Sequence, residues 1–197
     1  MSSKSTTPAP PAPTIQDQIP NSLPRVTATI TTHDPITRKA IFHTPPEGSA
    51  LVKWHPQLAD GQMAFYTLYQ TQQIPVKIQD DLQYHDEFMR KNQMGPPMVV
   101  ENGTVCRMVD FAPGFTAVEH RALSVDYGVV IEGSVELILD SGELRHIERG
   151  GMIVQRGTMH TWRNPSSTEW TRILFVSVSA EPTTINGVTL EEDLGGL

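Results

Sequence analysis

Short runs of β-branched and aromatic residues, broken by glycine, proline, asparagine and aspartate, fill the chain from Val26 onward. This pattern predicts strands joined by turns, and it limits the possible folds more than any other feature of the sequence. The runs are RVTATIT, KAIFH, MAFYTLYQ, TVCRMVDF, TAVEHRA, YGVVIEG, VELILD, ELRHIER, MIVQR, MHTWRN and TRILFVSVS. About eleven strands of this length are typical of an all-β sandwich or barrel around one core.

Two local patterns add detail to this prediction. The segment VELILDSGELRHI predicts a hairpin whose turn is Asp-Ser-Gly at 140–142, because Gly142 tolerates a positive φ. The segment IQDDLQYHDEFMRKN predicts a short helix capped by Asp80 or Asp81. One side of that helix would carry Leu82, His85, Phe88 and Met89.

The sequence divides into four parts. Residues 1–22 are rich in serine, threonine and proline and poor in large apolar residues, which predicts a disordered arm. Residues 23–100 carry the first strands and a long connection, FHTPPEGSALVKWHPQLADG, which is expected to act as a lid on the barrel. The barrel core is expected over residues 101–180, and the tail 181–197 is expected to pack on its outside or to fray.

Charge and cysteine content argue against several classes of function. The 197-residue chain has a formal net charge of -7, so a basic surface for nucleic acid is not expected. No apolar run approaches the roughly 18 residues of a spanning helix, and no secretion signal is visible. The single cysteine, Cys106, cannot form an intrachain disulfide and is interpreted as a buried structural thiol. We therefore expect a cytoplasmic protein that binds a small molecule and has neither a nucleic-acid nor a membrane partner.

Two histidines lie where they would face the inside of a barrel. Because side chains two apart on a strand share a face, His120 points to the same side as Ala122, and His160 to the same side as Trp162. Buried imidazoles are costly unless they are hydrogen-bonded, bound to a ligand or used in catalysis. Both histidines are therefore candidate site residues.

Residues 114–133 and 150–164 resemble the two motifs of the cupin family, the first of which is G-x5-H-x-H-x3-E-x6-G. The matching positions are Gly114, His120 and Gly133 in the first motif and Gly150, Gly157, His160 and Asn164 in the second. The sequence is also similar to small single-domain cupins of bacterial and fungal metabolite clusters. The resemblance implies a double-stranded β-helix, or jelly roll, a homodimer, and a tailoring enzyme that acts on a polyketide-like or organic-acid intermediate.

The departures from the motifs concern the metal site. A cupin of the ordinary kind would bind its metal through three histidines and a glutamate. Here Ala122 replaces the second histidine and Asp126 the glutamate, while Gln155 replaces the proline of the second motif. The chain can therefore offer at most His120, Asp126 and His160 to a metal.

Three functions are compatible with this trio. Two histidines and one carboxylate are the ligands of a non-heme iron site, so a dioxygenase binding iron, manganese or zinc through His120, Asp126 and His160 is one candidate. The favoured candidate is a metal-free lyase or isomerase in which both histidines act as acid and base, in an order left open, and Asp126 orients them. The third is a cupin that binds a small molecule without chemistry. No cofactor is expected in the favoured case.

Four further residues are predicted to contact the substrate. If its strand face is the inner one, Arg107 would clamp a carboxylate or enolate oxygen. Trp162 would form a pocket wall, and Gln155 would add a polar group at the cavity mouth. Tyr66 and Tyr69 fall on opposite faces of one strand, so at most one lines the site, and Tyr66 is assigned to it.

Overall fold

The structure is a computed structural model that describes residues 21–57, 61–91 and 97–195. Its strands are β1 (Thr31–His33), β2 (Ala40–Phe42), β3 (Lys53–Gln57), β4 (Met63–Thr71), β5 (Thr104–Phe111), β6 (Ser124–Glu132), β7 (Ser134–Leu139), β8 (Leu144–Glu148), β9 (Met152–Arg156), β10 (His160–Arg163), β11 (Thr171–Ser179), β12 (Thr183–Ile185) and β13 (Val188–Leu190). The helix α1 (Asp81–Lys91) lies inside the predicted helical segment. The all-β prediction is confirmed. In the described ranges, no helix is long and apolar enough to cross a membrane.

Two antiparallel sheets form the body of the molecule. The larger sheet has the strand order β3-β4-β5-β11-β6-β9 and the smaller the order β10-β7-β8. Neighbouring strands come from distant parts of the chain, as where β11 pairs with both β5 and β6, so the chain crosses repeatedly between positions as in a jelly roll. The predicted double-stranded β-helix is confirmed by this strand order.

The main core lies between these sheets. It joins Val109, Ile173 and Phe175 of the larger sheet to Val135 and Trp162 of the smaller one. Buried residues alternate along most of β5, as expected for a strand with one face toward the core. The alternation therefore decides which side chains can reach the interior of the barrel.

A second cluster covers the outer face of the larger sheet. Ala64 and Tyr66 of β4 pack there against Val26. On the same face, the guanidinium of Arg172 donates to both carboxylate oxygens of Asp110 at 2.6 Å. The outer face thus has its own apolar and ionic contacts, separate from the core.

The structure corrects the strand predictions in two places. Residues 116–122 form no strand, because only isolated bridges at Thr116, His120 and Arg121 tie them to the rest of the fold. The predicted strand RVTATIT contributes only Thr31 to β1. The structure also adds β3, β12 and β13, which lie outside the eleven predicted runs.

The predicted boundary shifts at the N-terminal end of the barrel. The larger sheet begins with β3, which is part of the predicted lid, so barrel strands start upstream of residue 101. Residues 1–20 of the predicted arm lie outside the described residues, whereas the Asn21 side chain donates to Asp110 Oδ2 at 2.9 Å. In the tail, β12 and β13 pair as a hairpin.

Candidate functional site

His120 and His160 are brought together by the backbone. The His120 amide donates to the His160 carbonyl at 3.0 Å, and the His160 amide donates back to the His120 carbonyl at 3.0 Å. This reciprocal pair holds the irregular segment 116–122 against the start of β10. As a result the two imidazoles lie with their ring centres 4.4 Å apart, and both side chains are buried.

Each imidazole is anchored through its Nδ1 atom. His120 Nδ1 lies 3.0 Å from the Val118 carbonyl oxygen, and His160 Nδ1 lies 2.9 Å from the Thr158 carbonyl oxygen. A carbonyl oxygen can only accept, so this contact places a proton on Nδ1 of His120. His160 Nδ1 lies within hydrogen-bond distance of both the Thr158 carbonyl, an acceptor, and the Gln155 amide nitrogen, a donor, so its contacts do not fix its tautomer. In the neutral form, Nε2 of His120 then carries the free lone pair and can act as a base.

Gln155 supports His160 from outside the cavity. Its side-chain amide donates to the Thr158 carbonyl at 3.0 Å and lies 2.9 Å from His160 Nδ1. The sequence predicts that Gln155 contacts the substrate at the cavity mouth, but its side chain is not among those that line the cavity. Its contacts instead fix the position of the His160 ring.

Burial controls the protonation of the pair. The pKa of His160 is lowered to about 4, mainly because the buried ring loses hydration, and further because His120 is close. An imidazole with this pKa is neutral at pH 7. Since a charge on one ring disfavours a charge on the other, the pair binds one proton more readily than two.

A cavity of about 60 Å³ lies next to the two histidines, inside the barrel. Aromatic and aliphatic side chains form most of its wall, which includes Met63, Phe65, Val109, Phe111, Trp162 and Phe175. Polar side chains reach it as well, namely Arg107, His120, Asp126, His160 and Ser177. The rings of Trp162 and His160 are nearly perpendicular, with their centres 5.4 Å apart. The cavity thus places acid–base groups in an apolar environment.

Two of the predicted polar residues face this cavity from the larger sheet. Arg107 is buried, and its guanidinium donates to the carbonyl oxygens of Pro97 and Met98. Burial lowers the pKa of Arg107 to about 10, while Asp126 acts to raise it. Arg107 therefore stays charged at neutral pH and is held in a fixed orientation.

Tyr66 is placed differently from the prediction. The inner face of β4 carries Met63 and Phe65, so Tyr66 points to the outer face. There its ring lies 5.4 Å from the Arg172 guanidinium carbon, and burial beside Asp110 raises its pKa to about 12. Tyr66 packs in the outer cluster and does not line the cavity.

Ser177 and Met98 line the cavity but were not assigned to the site from the sequence. Ser177 shares a strand face with Ile173 and Phe175, so a polar residue at an inward position was a usable signal. Met98 precedes β5 in a segment without regular structure, where periodicity gives no information.

No family model matches the chain, but curated relatives do. The cupin-domain-containing oxidoreductase fogC of Aspergillus ruber is 39% identical over 178 residues, which cover 89% of this chain and 83% of that protein. The chain is a cupin. The oxidoreductase virC of Hypocrea virens, also named as cupin-domain-containing, is 38% identical over 140 residues and 70% of each chain. Oryzines biosynthesis cluster protein J of Aspergillus oryzae is 41% identical over 134 residues, 66% of this chain and 73% of its own.

Among solved structures, the cupin matches a cupin-2 domain from Rhodospirillum rubrum. The TM-score is 0.43 and the identity is 8%, over 68% of this chain and 76% of the solved one.

The side chains of this cupin do not gather into the metal site of the family motif. Asp126 lines the same cavity as the two histidines. However, within the described ranges no group of three or more histidine, cysteine, aspartate or glutamate side chains is arranged to hold a metal ion. The two-histidine, one-carboxylate geometry of a non-heme iron site is therefore not assembled here.

Proposed function

We propose that this cupin is a tailoring enzyme that transfers protons on a small organic intermediate, in a dehydration, decarboxylation or cyclisation step. One observation carries the proposal: two adjacent imidazoles, each with Nδ1 tied to a carbonyl, border an apolar cavity. The relatives support an enzyme of biosynthesis, since they include a biosynthesis cluster protein and cupin-domain-containing oxidoreductases.

The two histidines divide the proton transfers between them. In a dehydration, Nε2 of one ring removes a proton from a substrate carbon, and the other ring gives a proton to the leaving hydroxyl, which departs as water. This exchange requires the pair to hold one proton, because one ring is then the acid and the other the base. Arg107 stabilises the oxyanion that forms when the carbon acid is a ketone or ester.

The experiment starts from the natural intermediate. The gene is deleted in a producing organism, the accumulated compound is purified, and it is incubated with the protein in deuterium oxide. A decarboxylation should place deuterium on the carbon that lost carbon dioxide, whereas a dehydration should release water and form no new carbon–deuterium bond in the product. In either case we expect His120→Ala and His160→Ala each to slow turnover by about 10²-fold or more, the usual contribution of a general acid or base. His146→Ala, an exposed histidine on β8, is the matched control. Unchanged turnover in both cavity variants would overturn the proposal.

An oxidoreductase is the second candidate, because virC and fogC carry that name. Metal content separates the two candidates, measured by plasma mass spectrometry on protein purified without a histidine tag. About one equivalent of iron, manganese or zinc per chain, lost together with activity in His160→Ala, would favour the oxidoreductase. Turnover that persists after chelation of the protein would favour proton transfer alone.

A further inference from the structure

The inner face of the larger sheet changes from apolar to polar along its strands. Neighbouring strands align Gln70, Val105, Ser177, Asp126 and Gln155 in one row across the sheet, from β4 to β9. The row lies on the face that points toward the smaller sheet, because inward positions alternate along each strand. Four of these five residues are polar, so one end of the barrel interior is polar. We call Gln70, Ser177, Asp126 and Gln155 the polar row.

Several buried atoms in and beside the polar row lack a hydrogen-bond partner among the described residues. They are Arg107 Nε, Asp126 Oδ1, Thr67 Oγ1 and both amide atoms of Gln70. Thr67 pairs in register with Arg107, so these atoms belong to one region of the sheet. Unpaired buried polar atoms are costly, and native proteins satisfy almost all of them, which points to a ligand or ordered water at this place.

Arg107 and Asp126 leave complementary atoms open. Both side chains line the cavity. The Nη2 atom of Arg107 is occupied by the carbonyl oxygens of Pro97 and Met98, whereas its Nε–H donor is unpaired. Asp126 Oδ1 is an unpaired acceptor. A group that accepts one hydrogen bond and donates another matches both atoms, and a hydroxyl is the simplest such group.

The rest of the cavity indicates what carries that hydroxyl. Phe111, Trp162 and Phe175 line it, and rings pack well against aromatic walls. The cavity measures about 60 Å³, and the flexible side chains of Met63 and Met98 in its wall can move to admit a ring. The space between the polar side chains Arg107, Asp126 and Ser177 and these walls suits a planar molecule with a polar end.

We propose that Arg107 and Asp126 form a subsite for a hydroxyl or enol group on an unsaturated ring, held between the Arg107 Nε–H donor and the Asp126 Oδ1 acceptor. The proposal deepens the proposed function, on which it rests for the use of the cavity as the substrate site. It assigns the substrate to the class of ring compounds with a phenol-like or enolic hydroxyl. Asp126 then contacts the substrate directly and does not serve only to orient the histidines.

The test uses phenol and toluene, which have nearly the same shape but differ in the hydroxyl. Binding of each to the full-length protein is measured by isothermal titration calorimetry at neutral pH. We expect phenol to bind at least about tenfold more tightly than toluene, because a site built for a hydroxyl rejects the analogue that leaves its polar groups unpaired. Anisole, which accepts but cannot donate, should bind more weakly than phenol.

A variant of Asp126 tests whether the subsite causes the preference for phenol over toluene. Asp126→Leu, of similar size, removes the acceptor and should reduce the phenol preference to less than about threefold. Met63→Val, at the apolar end, is the control and should weaken both compounds by the same factor. Circular dichroism and the melting temperature check that both variants fold.

The wild-type comparison stands even if Asp126→Leu fails to fold. The proposal would be overturned by equal affinities for phenol and toluene. It would also be overturned if phenol did not bind at about 20 mM, a concentration that would reveal even a millimolar Kd. Because this assay measures binding without turnover, its failure is distinct from failure of the proton-transfer function. That function is tested by the two histidine variants and their product.

Discussion

At the scale of single residues, Ala122 has the clearest consequence for metal binding. It occupies the position of the second histidine in the first cupin motif, and it is buried in the wall of the cavity with His120 and His160. A methyl group at this place leaves room and removes a nitrogen donor. Two imidazoles remain, with their ring centres 4.4 Å apart.

Restoring the histidine should restore metal affinity. In Ala122→His, a third imidazole would join the pair, and a three-histidine set is a strong site for zinc. We expect zinc to bind at least about tenfold more tightly than to the wild type, as measured by calorimetry. Ala122→Phe adds a ring without nitrogen and is the control. Equal zinc affinity in both variants would contradict the assignment of this position.

Sequence reasoning reached some of these residues and not others. His120, His160 and Trp162 follow from motif spacing and strand parity, and all three line the cavity. The alternation of side chains along β4 places Phe65 and Tyr66 on opposite faces of the strand. It does not determine which face is the inner one, because that depends on how the sheets pack. Unpaired atoms such as Asp126 Oδ1 depend on three-dimensional neighbours and leave no trace in the sequence.

At the scale of elements, the C-terminal tail positions the segment that carries His120. The Arg121 amide donates to the Asp193 carbonyl at 2.6 Å, and the Asp193 amide donates to the Arg121 carbonyl at 2.9 Å. Further along, a Cβ on Gly195 would clash with the carbonyl oxygen of Glu119. Since residues 116–122 form no strand of their own, these contacts fix the position of His120 from outside.

Gly195→Ala should therefore loosen this segment. Gly195 has a φ of 60°, and Gly187, in the β12–β13 turn, has a φ of 79° with open space around it. Both alanine variants have the same backbone strain, but only Gly195→Ala adds a clash. We expect faster hydrogen exchange at the Arg121 amide in Gly195→Ala and wild-type exchange in Gly187→Ala, measured by NMR. Equal protection in both variants would show that the tail does not hold the segment.

Elements differ in how far the sequence determines them. The predicted bounds of β5, β9 and β11 match the structure to the residue, because turn residues flank alternating apolar positions. Segment 116–122 alternates as well, yet it forms only isolated bridges, since local pattern cannot supply a pairing partner. The β12–β13 hairpin did have a signal: Asn186 and Gly187 both have positive φ, and Asn-Gly is the strongest short hairpin turn.

At the scale of the whole molecule, one buried ion pair ties the N-terminal segment to the barrel. Arg172 binds both oxygens of Asp110 and also donates to the Pro24 carbonyl at 2.6 Å, while Asn21 donates to Asp110. The side chains of the pair are 5% and 0% exposed, so removal of one partner leaves a charge without compensation. The pair lies on the outer face, away from the histidines.

Breaking this pair should destabilise the fold without altering the site. We expect Asp110→Leu to lower the free energy of unfolding by about 3–5 kcal/mol in urea titrations. The double variant Asp110→Leu, Arg172→Met removes both charges and should recover much of that loss. Phenol binding per folded molecule should stay the same in both. A double variant as unstable as the single one would mean that packing, not charge, causes the loss.

Stability should also depend on pH through His85 of α1, which contacts Tyr69 of β4 at a ring distance of 4.5 Å. His85 is 1% exposed, and neither ring nitrogen has a partner in the described part of the chain. Burial lowers its pKa to about 4; Asp86 and Asp81 act to raise the pKa, and His43 to lower it. The folded state therefore favours the neutral ring and resists its protonation.

The sign of the pH effect follows from this pKa. Between pH 6.5 and about 4 the unfolded chain binds a proton at His85 and the folded chain does not, so stability falls as the pH falls across this range. The full effect is about 3 kcal/mol, because one pKa unit corresponds to about 1.36 kcal/mol. His160 adds to the same trend, since its pKa is lowered in the same direction.

Carboxylates titrate in this range too, so the wild type must be compared with His85→Leu. This variant keeps an apolar side chain against Tyr69 and cannot bind a proton. We expect the wild type to lose more stability than His85→Leu between pH 7 and 4.5 in urea titrations; parallel losses would mean that His85 is protonated as easily in the folded state as in the unfolded chain.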